Sequence, residues 1–171
     1  VPAAILYDLG RGGAIAKRPN ADLGYRAADA ATYGPVAMGR VGAGTGARVG
    51  LGSASVSLPG GWTFGAVVGL NPAGSPSDPT TCLPYGLFLE VDDEFGLSAP
   101  DSDQGGDDGG TPSSGETFTP TIAVVASDAP LDQTQARRMA RVANSGRARS
   151  SRPVHNLQDG DAVFALATSP P

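Results

Sequence analysis

Two threonines flank a proline at Thr119-Pro120-Thr121, where a long polar stretch stops abruptly at the apolar run Thr121-Ile122-Ala123-Val124-Val125-Ala126. A hydroxyl beside a peptide bond at the head of a buried strand is what a self-cleaving enzyme with an N-terminal nucleophile requires. The hydroxyl attacks the neighbouring carbonyl, and the α-amine freed by cleavage, with a pKa of about 8, then serves as its base. Asp159-Gly160-Asp161 forms a second constellation, at the mouth of another apolar run. Two carboxylates one residue apart project to the same side of an extended chain and can orient a nucleophile or an amine. The same three residues also read as a plain Asx-type turn.

Other chemistry-bearing residues are sparse. His155 is the only histidine, and without a G-x-S-x-G elbow a histidine-based triad has nothing to activate, so it is read as a structural or supporting residue. Gly42-Ala43-Gly44-Thr45-Gly46-Ala47 satisfies the loose G-x-G-x-x-A form of a dinucleotide loop. No clear strand precedes it, no long amphipathic helix follows, and no acidic residue stands roughly 20 positions on to take a ribose. Its glycines read instead as close backbone packing. The single cysteine, Cys82, excludes an internal disulfide and a cysteine-based metal cluster. Carboxylates from Asp101 to Asp108 are spaced like oxygen ligands, but no acidic residue closes an EF-hand loop at the required distance. No metal and no cofactor are expected.

The elements that position these residues follow from periodicity. Residues 3–9 are a short apolar run ended by Gly10-Arg11-Gly12-Gly13, a buried strand. Asn20 is placed to cap a helix from Ala21 to about Thr32, with Asp22 in the first turn. Residues 53–58 alternate Ser with apolar residues, and Pro59-Gly60-Gly61 turns the chain into a second strand over 62–70, so this pair reads as a hairpin. After the strand at 121–126, Ser127 and Asp128 offer caps for a helix from about Leu131 to Gly146, with an apolar stripe of Leu131, Ala136, Met139, Val142 and Ala143. Six of the 12 basic residues lie between Arg137 and Arg152 and read as a solvated helix face. Residues 162–167 form the last strand. The order is strand, helix, two strands, linker, strand, helix, strand, which is an α+β chain.

Nine of the 17 acidic residues fall between Glu90 and Glu116, among Gly, Ser and Pro and without Lys or Arg. That stretch reads as a flexible linker dividing the chain into residues 1–88, 89–118 and 119–171. A net charge of −5 argues against nucleic acid, which needs a basic face. No run reaches the roughly 18–20 apolar residues that span a bilayer, and no signal peptide is seen, so no membrane partner and a cytoplasmic location are expected. The chain opens within a strand at Val1, from which a missing N-terminal portion is expected.

Five blocks carry a family resemblance: Val1 to Leu9, Arg40 to Ala47, Val68 to Gly74, Thr121 to Leu131, and Arg152 through Thr168. In that order the chain resembles the L-aminopeptidase/D-esterase family, which includes β-peptidyl aminopeptidases and the nylon-oligomer hydrolase. The resemblance implies an αββα sandwich similar to the ornithine acetyltransferase fold. It implies self-cleavage into two subunits, association with the N-terminal portion of the same precursor, and a homo-oligomer. The implied activity is release of N-terminal residues from small peptides, amides or esters without metal or cofactor. Tyr7 and Asn71 match the residues that hold the substrate carbonyl or oxyanion, and Asp159 and Asp161 match the pair beside the nucleophile. Two departures stand out. The family's nucleophile falls eight positions before the residue matched by Asp128, which is Pro120, so Thr119 and Thr121 are the available hydroxyls. A lysine that many members carry after the glycine run is absent, with only Arg48 nearby. The rival readings are a non-catalytic binding or assembly subunit, marked by Pro120, and an acyltransferase using the same threonine chemistry.

Overall fold

The computed structural model describes Leu6 and residues 14–41, 50–72, 74–94, 96, 120–157 and 159–171. The expected strand at 3–9, the glycine run and most of the acidic linker lie outside the described residues. Within them are helices α1 (Ala21–Asp29) and α2 (Gln133–Ser150), strands β1 (Leu51–Ser57), β2 (Thr63–Gly69), β3 (Ile122–Ser127) and β4 (Ala162–Ala167), and two short 3-10 turns. The α+β class is as expected.

The four strands form one sheet in the order β1-β2-β3-β4. β1 and β2 are the expected hairpin, Leu51 opposite Gly69 and Ser57 opposite Thr63. Gly60 and Gly61 turn it, with φ of +114° and +90° that side chains rarely adopt. β2 and β3 are antiparallel, Gly69 opposite Ile122. β3 and β4 are parallel, Ile122 beside Ala162, and a parallel pair needs a crossover, which α2 provides. The starts of β3 and β4 and the end of β2 therefore share one end of the sheet.

Ser127 and Asp128 do not cap α2. The Ser127 hydroxyl donates to Thr63 O at 3.0 Å, and Asp128 Oδ1 accepts from Thr63 N at 2.7 Å, fastening the far end of β3 to β2. The cap is Asp132, whose carboxylate accepts from Gln135 N while Gln135 Oε1 accepts from Asp132 N, at 2.8 and 2.9 Å. This reciprocal box satisfies two amides that the first turn leaves without helical partners. α2 runs past Gly146 to Ser150. Its 18 residues span about 27 Å at ~1.5 Å each, long enough to return from the far end of β3 to the start of β4.

α2 packs on β4 and, less extensively, on β3. On the opposite face Leu6 lies against Gly69, while Leu166 is 55% and Val67 36% exposed. α1, capped by Asn20 as expected and ending at Asp29 rather than Thr32, packs on no other described element.

Removing the cap carboxylate with Asp132→Ala is expected to cost about 0.5–2 kcal/mol, read as a lower urea midpoint, with Asp132→Asn keeping most of the stability. Equal losses for the two variants would assign the effect to something other than the cap.

Candidate active site

Thr121 stands one residue before β3 and is 1% exposed. Its backbone N–H donates to Asp161 Oδ1 at 2.8 Å. The register explains the contact: Ile122 lies beside Ala162, so the residue before each strand enters the sheet next to the other. Ala162 N donates in turn to Thr121 O at 3.0 Å. Ala162 thus ties the start of β4 to β3 through the backbone, while Asp161, one residue earlier, reaches the Thr121 nitrogen through its side chain.

The other oxygen of Asp161 meets Arg147, which also lies 3.7 Å from Asp159 Oδ2. All three side chains are buried, at 6% exposure for Arg147, 1% for Asp159 and 9% for Asp161. The contacts are those of an ion pair rather than of directed hydrogen bonds. Arg147 corrects the expectation of a uniformly solvated arginine face. The inner stripe of α2 runs through Ala136, Ala140, Ala143 and Asn144, and the same spacing carries it to Arg147 and Ser150. Val142, read as part of that stripe, is 61% exposed. A cation in the last turn also lies where the helix dipole favours it. The signal was present: the apolar period, continued past Gly146, lands on a charged residue.

Asp159 serves as both a turn residue and a site residue. Its Oδ2 accepts from Asn156 N at 3.1 Å and its N–H donates to Asn156 O at 3.0 Å, a closed tight turn. His155, in the left-handed region at φ +60°, is exposed within the same loop.

Asn71 is buried at 7%, two residues beyond β2. Because Gly69 lies opposite Ile122, Asn71 and Pro120 leave the sheet at the same end, so Asn71 belongs to the end that holds Thr121 and Asp161. The loop after Asn71 is fastened to the segment following α2 by paired backbone hydrogen bonds between Ser75 and Arg152, at 2.8 and 2.9 Å. Gly74 permits this approach, since a Cβ there would meet Pro153 O at 2.1 Å. Tyr7 and Thr119 lie outside the described residues.

A cavity of about 730 Å³ opens between the sheet and α2, lined by Leu51, Val68, Leu70, Ala123 and Val125, with Arg147 at its wall. Its size and apolar lining suit a small-molecule site. Among the described residues, Thr121 Oγ1, Asn144 Oδ1 and Ser151 Oγ are buried without a hydrogen-bond partner. Such groups are rare in folded proteins. No group of His, Cys, Asp and Glu among the described residues is arranged to hold a metal ion, and no helix among them is long and apolar enough to cross a membrane.

Residues 3–171 match the sequence profile of peptidase family S58. The chain belongs to this family. An uncharacterized aminopeptidase of Mycobacterium leprae is 42% identical over 180 residues, covering 98% of this chain and 49% of its own length. An uncharacterized aminopeptidase of Mycobacterium bovis is 42% identical over 177 residues, covering 98% and 50%. The S58 chain described here thus spans about half the length of the curated relatives it matches. Among solved structures, a beta-aminopeptidase of Burkholderia sp. is 31% identical, covering 82% of this chain and 36% of its own, with a TM-score of 0.47. The family expected from the five sequence blocks, the L-aminopeptidase/D-esterase family, is borne out.

Asp161→Ala removes the closer partner of a buried guanidinium and the acceptor of Thr121 N–H. The expected cost is about 3–5 kcal/mol, measured by urea denaturation, with Asp161→Asn losing less because an acceptor for Thr121 remains. An alanine variant as stable as the parent would contradict the pairing.

Proposed function

We propose that this S58 chain is the nucleophile-bearing part of a self-processing aminopeptidase, with Thr121 as nucleophile. The observation that carries the reading is the 2.8 Å hydrogen bond from the Thr121 nitrogen to Asp161, beside a buried Thr121 hydroxyl that has no hydrogen-bond partner among the described residues. A free N-terminal threonine needs its nitrogen held in a fixed place, because that nitrogen must take the proton of its own hydroxyl.

Processing begins when Thr121 Oγ1 attacks the Pro120 carbonyl carbon. The bond from that carbon to Thr121 N breaks, nitrogen takes the proton, and water hydrolyses the resulting ester. Turnover then repeats the attack on a substrate carbonyl, with the neutral amine as base. The departing amine leaves an acyl-threonine, which water cleaves. Asn71, with Tyr7, supplies donors to the oxyanion, and the Asp159/Asp161 pair orients the Thr121 nitrogen. The apolar cavity behind Ala123 favours small peptides, amides or esters with apolar groups at the scissile bond. The half-exposed outer face of the sheet supports burial against an N-terminal portion of the same precursor, which would complete the αββα sandwich, and association into a homo-oligomer.

Denaturing electrophoresis with N-terminal sequencing tests the assignment. The expected result is cleavage that leaves Thr121 first, abolished by Thr121→Ala and preserved by Thr121→Ser. A new terminus at Thr119 would transfer the role to that residue. A folded chain that stays intact and turns over no aminoacyl p-nitroanilide overturns the reading in favour of the non-catalytic relative marked by Pro120. Acyl transfer to an added amine in preference to water would identify a transferase.

Asn71→Ala is expected to lower kcat by a factor of roughly 10² to 10³ while processing and folding persist. Steady-state kinetics with the same substrates checks it, and an unchanged kcat would remove Asn71 from the oxyanion site.

A further inference from the structure

We infer that Arg147 is a positioning residue: by fixing the paired carboxylates of Asp159 and Asp161, it holds Asp161 Oδ1 on the nitrogen of Thr121. Its catalytic consequence rests on the reading of Thr121 as nucleophile.

Asp161 divides its two oxygens, Oδ2 to Arg147 and Oδ1 to the Thr121 N–H. Asp159, on the other side of the guanidinium, is anchored separately by Asn156 N. Without a cation between them, two carboxylates this buried would repel each other, and one would turn away or take a proton. Asp161 would then have no fixed place, and the Thr121 nitrogen no fixed partner.

Asp159, Asp161 and Arg147 together carry one negative charge, so Arg147 acts by fixing where the two carboxylates lie rather than by setting the local net charge. The charged described groups around this point are Asp159 and Asp161 from the approach to β4 and Arg147 from α2, with Arg40 on the wall of the adjoining cavity.

Arg147 alone cannot be removed cleanly, because two buried carboxylates would remain. The test uses Arg147→Lys and the charge-balanced pair Arg147→Met with Asp159→Asn. For the pair, kcat is expected to fall at least about tenfold with KM within about twofold. Arg147→Lys should recover part of the lost kcat. A folded pair variant with the parent's kcat overturns the inference and leaves the proposed function standing. A second readout is independent of activity. In a Thr121→Ala background, amide hydrogen exchange at residue 121 should be at least about tenfold faster with the Arg147→Met/Asp159→Asn pair than without it. Should the parent neither process nor turn over substrate, the proposed function fails, and the exchange comparison alone decides: unchanged protection at residue 121 overturns the role of Arg147.

Discussion

A buried guanidinium cannot stand alone. Moving an unpaired cation out of water costs several kcal/mol even after relaxation, so the position of Arg147 dictates what surrounds it. Two carboxylates converge on it from one short segment, and one of them passes the constraint on to the backbone of Thr121. Three parts of the chain, the end of α2 and the starts of β3 and β4, are thereby fixed relative to one another by charge as well as by sheet hydrogen bonds. This matters in a molecule whose interior is lean: the buried apolar side chains among the described residues are the small ones of Ala123 and Ala129. Where little apolar surface is buried, polar contacts that are geometrically demanding carry more of the specification of structure.

The topology makes the convergence possible. Parallel pairing of β3 and β4 requires a crossover, and the crossover helix ends where both strands begin. Placing a cation in its last turn puts that cation at the strand entrances. The antiparallel pairing of β2 with β3 brings the Asn71 loop to the same end, and the Ser75–Arg152 bridge ties that loop to the exit of α2. The candidate site is thus assembled from one end of the sheet, by elements distant in sequence that the strand order makes neighbours.

The hairpin, the strands and the Asp159/Asp161 pair were legible in the sequence because each depends on local pattern: period two along strands, glycines at the turn, carboxylates one residue apart. Two of the misreadings were about where polar residues point. Ser127 and Asp128 have the right chemistry for a helix cap, but they end β3 beside Thr63, and that long-range partner wins over the local one. Arg147 sits among five other arginines and after a glycine that suggested a helix end, so composition placed it in solvent. Only its phase on the helix distinguished it, one step beyond Ala143 on the inner stripe. The contact between the Thr121 nitrogen and Asp161 was not legible either, since the two stand 40 residues apart in sequence.

Arg147, Asp161 and the Thr121 nitrogen form one connected unit. A crystal structure of the Thr121→Ala protein measures this directly. The predicted result is a guanidinium buried between Asp159 and Asp161, with Asp161 Oδ1 within hydrogen-bond distance of the residue 121 nitrogen. A density map with Arg147 turned to solvent, or Asp161 pointing away from that nitrogen, would contradict it.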